Sequence, residues 1–304
     1  MHTGLALPHF GPSAPGVELP GWQAVRELAR RADSLGFESL WLGDQPGGAD
    51  PLVTLSALVR ITSRPGIGTL ALDAFLRPPA VLAKALATLD VVSGGRTIVG
   101  LGGARGEDAA RLAEVCQVLV GMFGGGPFSF AGAHVRVTEA RCLPLPVQRP
   151  HPPIWLAGGD DRLLDVVARH GQGWTTAWTS TPAAYGERLG ALEAACARVG
   201  RDPTTVTRSL GLTALVGEDE ADLRRRFRHL CDLAPAPGPA SVDSFDEWRR
   251  TRLVGTVEEV GAQLDEWASL GIDTVVVCAA GGPFSVMGRD DVAMWAAACS
   301  LVTS

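Results

Sequence analysis

Eight short apolar runs alternate with stretches of helical periodicity along this chain of 304 residues. Runs that are apolar throughout are typical of strands buried on both faces, as in a parallel sheet. Eight strands, each followed by a helix, predict an α/β fold of the closed (β/α)8 TIM barrel type. An open, doubly wound sheet is the alternative. The predicted strands are Thr3 to Leu7, Phe37 to Leu42, Gly66 to Leu72, Thr97 to Leu101, Ile154 to Ala157, Gly173 to Trp178, Val206 to Val216 and Ile272 to Cys278.

Two further observations bear on the choice between barrel and open sheet. The first strand-to-helix junction, Pro8 to Gly11, lacks the G-x-G-x-x-G pattern of a dinucleotide-binding sheet, which favours the barrel. The alternation is interrupted at about 124–150, where Phe128 to Val137 is typical of a small hairpin. We therefore expect a single barrel domain over residues 1–304 that carries one hairpin excursion.

Charge and composition exclude several classes of partner. The formal net charge is -6, and no basic cluster predicts binding to nucleic acid. The first ten residues do not resemble a signal peptide, and no uninterrupted apolar run reaches the ~18 residues that a membrane span requires. The six cysteines form no C-x-x-C pair and are expected to be reduced thiols. We expect a cytoplasmic protein that does not bind membranes.

The junction after the fifth predicted strand has the features of an anion site. Ala157, Gly158 and Gly159 end that strand, and a helical pattern follows at once. Glycines there let backbone N–H groups approach an anion, and the helix N-terminus adds partial positive charge. Asp160 and Asp161 oppose this, because they cap the helix well but repel a phosphate.

The other residues expected at the carboxyl ends of the strands are mostly small and apolar. In a barrel of this kind the active site lies at that edge. No cluster of His, Asp, Glu or Cys has the spacing of a metal site, and no G-x-S-x-G sequence is present. A mouth of this composition suits a flat conjugated ligand that itself carries the demanding chemistry.

Seven segments of the chain resemble the bacterial luciferase-like flavin-dependent oxidoreductases. They cover 32–44, 50–55, 77–84, 89–96, 144–159, 171–174 and 255–260. The resemblance implies FMN or the deazaflavin coenzyme F-420 as cofactor, a small organic substrate, a homodimer and a possible flavin or deazaflavin reductase partner. It also places the flavin ring over the third strand, at a non-proline cis peptide that falls at Leu70-Ala71. The cofactor phosphate is expected at Ala157, Gly158 and Gly159, and Asp44, Gly102, Gly103 and Asp160 complete the predicted cofactor site.

Departures from the family pattern define the predicted catalytic residues. Gln45 stands where the family commonly has histidine, and an amide can orient a substrate but cannot act as an acid or base. His9 is a substitute from the first strand, or a histidine of the rim without a chemical role. Glu107 matches an acidic residue that can donate a proton in deazaflavin members, or is an ordinary residue of a helix first turn. The loops after Gln45 and Gly103 are shorter than in relatives, so we expect trimmed active-site loops.

Three functions follow from these features. Deazaflavin-dependent hydride transfer to or from an organic substrate is favoured, because a singly charged phosphodiester tolerates nearby aspartates better than the FMN monoester does. An FMN-dependent monooxygenase that uses reduced flavin and oxygen is the first alternative. The second alternative is a barrel paralogue that has lost flavin chemistry.

Overall fold

The computed structural model describes residues 1–11, 20–45, 48–178, 181–233, 244–279 and 289–302. Within these ranges, eight parallel strand positions form a closed ring, so the predicted barrel is confirmed. The ring closes because the seventh strand of the ring pairs with both the sixth and the eighth, and the eighth returns to the first. The strands are β1 (His2–Ala6), β2 (Ser39–Leu42), β3 (Gly66–Thr69) continued by β4 (Leu72–Asp73), β5 (Thr97–Gly102), β8 (Ile154–Ala157), β9 (Gly173–Trp178), β10 (Thr207–Val216) and β12 (Thr274–Ala279).

Helices follow the strands in the predicted alternation and form the outer layer. They are α1 (Trp22–Leu35), α2 (Pro51–Val59), α3 (Pro79–Ser93), α4 (Ala109–Phe123), α5 (Asp161–His170), α6 (Pro182–Arg198), α7 (Glu220–Leu233), α8 (Phe245–Trp248), α9 (Val257–Ser269) and α10 (Arg289–Ser300). Local sequence sets their ends. For example, a capping box begins α9, with reciprocal hydrogen bonds between Thr256 and Glu259.

Additions to the barrel lie outside the ring. In the predicted excursion, β6 (Phe128–Ala131) pairs antiparallel with β7 (Arg136–Ala140). A three-residue strand, β11 (Leu253–Gly255), extends the sheet beside β10 and was not predicted. Three residues are too few to show periodicity, so the sequence carries no signal for this strand. Among the described residues no helix is both long and apolar enough to cross a membrane.

Two tryptophans fill the lower part of the barrel interior. Trp41 of β2 and Trp155 of β8 have ring centroids 5.1 Å apart, and Trp41 is fully buried. They lie on glycines: an added Cβ would approach the Trp41 ring to 2.3 Å at Gly68 and the Trp155 ring to 2.4 Å at Gly173. We call Trp41 and Trp155 the tryptophan plug. It closes the barrel below the carboxyl ends of the strands.

Candidate functional site

A cavity of about 630 Å³ opens at the carboxyl ends of the strands. It is built from the ends of β2, β3, β4, β5, β8 and β9, which are consecutive around the ring. Its walls are mostly small or apolar, as the sequence predicted for this edge. The lining residues are Asp44, Gln45, Leu70, Ala71, Asp73, Leu76, Gly102, Gly103, Ala157, Gly158, Gly159, Thr175, Thr176 and Trp178.

Most of the predicted cofactor residues line this cavity together. They come from four separate strand ends and are Asp44, Leu70, Ala71, Gly102, Gly103, Ala157, Gly158 and Gly159. Asp160 is outside the lining and lies one residue beyond it, at the N-terminus of α5. Their convergence follows from the parallel barrel, in which all strand ends meet at one edge. That they bind a cofactor stays a prediction.

The peptide bond between Leu70 and Ala71 is cis, at the position that the resemblance implies. It joins β3 to β4 and lies against the end of β2. The Leu70 N–H donates to the carbonyl oxygen of Leu42 at 3.0 Å, and the Asp44 N–H donates to that of Ala71 at 3.2 Å. Two backbone hydrogen bonds therefore hold this segment of the wall in place.

Glycines let the neighbouring parts of the wall pack closely together. A Cβ on Gly102 would lie 2.9 Å from the Cβ of Ala71 and 3.4 Å from that of Ala157. Gly158 has a φ of 142°, which L-residues rarely adopt, and a Cβ there would lie 2.6 Å from Leu163. By contrast, a Cβ on Gly159 would have no neighbour within 4 Å, so Gly159 borders open space.

An aspartate–arginine–aspartate bridge supports one side of the cavity. Arg77 donates to Asp44 at 2.5 Å and to Asp50 at 2.7 Å. Asp50 also caps α2 by accepting the N–H groups of Leu52 and Val53. The hydrogen bond to Asp44 is the main cause that raises the pKa of Arg77, so the guanidinium stays charged. Burial alone would raise the pKa of Asp50, but the bonds from Arg77 and the helix amides outweigh it and lower that pKa.

The two aspartates at the start of α5 behave differently. Asp160 is the N-cap: its Oδ1 accepts the N–H groups of Arg162 and Leu163, both at 3.2 Å. These are the amides that a phosphate at this helix end would use. Asp161 instead pairs with Arg188 of α6 at 2.6 Å, and this hydrogen bond lowers its pKa. The predicted conflict with a phosphate therefore concerns Asp160 alone.

The structure separates the three predicted catalytic residues. Gln45 lines the cavity, whereas His9 and Glu107 do not. His9 is fully buried behind the turn at Gly48, where an added Cβ would lie 2.6 Å from its Nδ1. Burial lowers the pKa of His9, although the charge of Asp44 acts in the opposite direction. Glu107 is exposed on a 3-10 helix that spans Gly106–Asp108.

Polar lining residues on β4 and β9 were given no role from the sequence. Asp73 brings a second carboxylate to the cavity. Thr175 is fully buried, and its Oγ1 has no hydrogen-bond partner among the described residues. In the barrel, Thr175 pairs with the lining residue Ala157 of β8, a neighbour that only the strand register shows. Among the described residues, no group of three His, Cys, Asp or Glu is placed to hold a metal ion.

Known proteins match this fold and sequence along most of the chain. A family model described as luciferase-like monooxygenase matches residues 1–274. The monooxygenase RslO1 from Streptomyces bottropensis is 25% identical, with 98% of each chain covered and a TM-score of 0.81. The coenzyme F-420-dependent tetrahydromethanopterin reductase from Methanopyrus kandleri is 16% identical over 97% of each chain, with a TM-score of 0.79. The EDTA monooxygenase from Chelativorans sp. BNC1 is 17% identical over 99% of this chain and 93% of its own, with a TM-score of 0.78.

The family model covers well over half of the chain, and the three similar structures extend over nearly all of it. The family contains both FMN-dependent and F-420-dependent enzymes. The chain belongs to the luciferase-like monooxygenase family of flavin-dependent oxidoreductases.

Proposed function

We propose that this protein transfers a hydride between a deazaflavin of the coenzyme F-420 type and a small organic substrate bound in the cavity. The observation that carries the choice of cofactor is the cap on α5. The Asp160 carboxylate already accepts the N–H groups of Arg162 and Leu163, and it adds negative charge where the phosphate is expected. A phosphodiester with one negative charge is repelled less than a phosphomonoester with two.

The cavity suits the ring system that both cofactors share. Its volume of about 630 Å³ is in the range of ligand pockets and has room for a tricyclic ring with a substrate beside it. Leu70, Ala71, Gly102 and Ala157 offer small apolar walls. The unpartnered Oγ1 of Thr175 supplies a hydroxyl for a polar atom of a bound molecule. The phosphate would lie near Gly159, the lining glycine with open space around it.

When bound, the deazaflavin supplies the carbon that gives or takes the hydride. The chain's own residues position the reactants and limit the approach of water. Gln45 lines the cavity and can donate or accept a hydrogen bond, so we assign it to orienting the substrate. His9, with its lowered pKa, is neutral near pH 7, and its place behind Gly48 suits support of the turn that carries Gln45. Glu107 lies outside the lining, so a proton from it would have to travel through water.

An FMN-dependent monooxygenase is the second candidate, and one observation favours it. The relative with 25% identity over 98% of each chain is itself a monooxygenase. This reaction would require reduced flavin from a reductase partner. A homodimer in the cytoplasm is our expectation for either candidate.

Equilibrium titration with both cofactors, followed by quenching of flavin fluorescence, distinguishes the candidates. The variants are Asp160→Asn, which retains a good N-cap but removes the charge, and Asp165→Asn, an equal charge change at the exposed pair with Arg198. We expect F-420 to bind more tightly than FMN. Asp160→Asn should tighten FMN about fivefold, since each phosphate–carboxylate pair costs about 1 kcal/mol in a wet site. Asp165→Asn should change neither affinity.

The opposite results have distinct meanings. Tighter binding of FMN, together with oxygen consumption when reduced FMN is supplied, would replace the first candidate with the second. If the wild-type chain binds neither cofactor, the remaining function is that of a barrel paralogue that has lost flavin chemistry.

A further inference from the structure

We propose that the substrate carries a protonated amine and that Asp73 binds it. This inference rests on the proposed function, which supplies the reaction that the amine-bearing molecule undergoes. The binding preference itself does not require that reaction, and it can be measured independently.

The charges in the cavity are unbalanced. Asp44 and Asp73 line it, and the lining contains no lysine, arginine or histidine. Asp44 is paired with Arg77 at 2.5 Å, and Arg77 also binds Asp50. Ion pairs have a nitrogen–oxygen distance of at most 4.0 Å. Among the described residues, no lysine, arginine or histidine nitrogen lies that close to the Asp73 carboxylate. A carboxylate that faces a cavity without a countercharge favours a cationic ligand.

The geometry of Asp73 leaves one of its oxygens available. Oδ1 accepts the N–H of Phe75 at 2.8 Å, which fixes the orientation of the carboxylate. Oδ2 accepts no hydrogen bond from the residues that the structure describes. Gly103 stands against this carboxylate, and a Cβ there would lie 2.8 Å from the Asp73 Cγ. The absence of a side chain at Gly103 therefore keeps Asp73 accessible from the cavity.

The segments that the structure does not describe contain no cationic side chain. The segments outside the described ranges, 12–19, 46–47, 179–180, 234–243, 280–288 and 303–304, contain no lysine, arginine or histidine. These segments therefore add no positive charge beside Asp73.

Thr175 gives a second and independent indication of a polar ligand. Thr175 is one of the residues that line the same cavity, and its fully buried Oγ1 has no partner among the described residues. Buried polar atoms are normally hydrogen-bonded, so this hydroxyl requires a partner that a bound molecule would supply. The lining also includes the apolar side chains of Leu76 and Trp178. The expected substrate is thus an amine on a mainly apolar body that also carries a polar group.

Three probes of similar shape and different charge test the proposal. They are 2-phenylethylamine, 2-phenylethanol and 3-phenylpropionate, with dissociation constants measured by calorimetry on the full chain, with and without saturating F-420. We expect the amine to bind the wild-type protein about tenfold more tightly than the alcohol, since hydrogen bonds to charged groups contribute more than neutral ones. The carboxylate should bind most weakly.

Two variants at Asp73 and one control identify the responsible group. Asp73→Asn and Asp73→Ser both keep an acceptor for the Phe75 N–H, so at least one of them is expected to fold. In either, the preference for the amine should fall to less than twofold. Asp165→Asn, which removes an equal charge at an exposed site outside the cavity, should keep the full preference.

Equal binding of amine and alcohol to the wild type would overturn the proposal. So would tightest binding of the carboxylate, or a preference that persists in both Asp73 variants. These outcomes are distinguishable from failure of the proposed function, which the cofactor titration reports. A chain that binds neither cofactor but prefers the amine would keep this inference and lose the hydride transfer.

Discussion

The lower and upper levels of the barrel interior use small residues for opposite purposes. Below, Gly4, Gly68 and Gly173 lie against the tryptophan plug, and a Cβ on any of them would approach an indole atom to 2.5 Å or less. Above, Gly102 and Gly159 border the cavity, and at Gly159 no atom lies within 4 Å of an added Cβ. At the lower level the indole rings fill the space that the missing side chains leave. At the upper level that space stays open.

This difference separates stability from function along one barrel axis. Protein interiors are close-packed, so glycines at the lower level are complementary to the indole rings. An open volume of about 630 Å³ at the upper level contributes no such packing. Its walls are positioned by backbone bonds, such as that from Asp44 to Ala71, and by the Arg77 bridge. We infer that the upper level is reserved for molecules that the chain binds.

The largest effect is expected from removing one half of the plug. Trp41→Ala should lower the free energy of unfolding by about 3–5 kcal/mol, because Gly4 and Gly68 offer no side chain that could fill the space. Denaturant unfolding at fixed protein concentration measures the loss.

The matched variant is Trp178→Ala, which removes the same side chain at the upper level. Trp178 is half-buried and lines the cavity. We expect it to cost less than half as much stability as Trp41→Ala and to weaken cofactor binding. Similar losses of stability in both variants would remove the distinction between the two levels.

A smaller effect on stability, with a clear effect on binding, is expected at Gly159. Gly159→Ala meets no neighbour, so the free energy of unfolding should change by no more than about 0.5 kcal/mol. Its methyl group would project into the space proposed for the cofactor phosphate, so cofactor affinity should fall about tenfold, or by about 1.4 kcal/mol.

Gly190→Ala is the control for this change. Gly190 is exposed on α6, also has no neighbour within 4 Å of an added Cβ, and is not among the lining residues. Alanine there should raise helix stability by up to about 1 kcal/mol and leave cofactor affinity unchanged. Unaltered affinity in Gly159→Ala would argue against a phosphate at this position.

Local sequence signals were sufficient to predict the ring of strands. The continuous apolar runs of β8 and β9 match the structure within a residue or two. Convergence of Asp44, Ala71, Gly102 and Gly159 on one cavity followed from the rule that parallel strand ends share an edge. Long periodic segments predict secondary structure, and topology rules predict which residues meet. The three residues of β11 are too few to show a period.

Side-chain placement within the site was less accessible from the sequence. His9 follows β1 at the expected edge, yet it packs behind Gly48 and does not enter the lining. Asp161 was expected to oppose a phosphate, but Arg188 from α6 holds it. Both outcomes depend on contacts between elements distant in sequence. Thr175 was overlooked because a threonine in an apolar strand gives no sign that its hydroxyl lacks a partner.

A structure of the protein with bound cofactor tests the central claim most directly: the space above the tryptophan plug is the flavin site. We predict that after soaking with F-420 the ring lies against Leu70 and Ala71, with the phosphate near Gly159 and the plug unchanged. A cofactor bound elsewhere on the barrel, or one that enters only by displacing Trp41 or Trp155, would contradict the account.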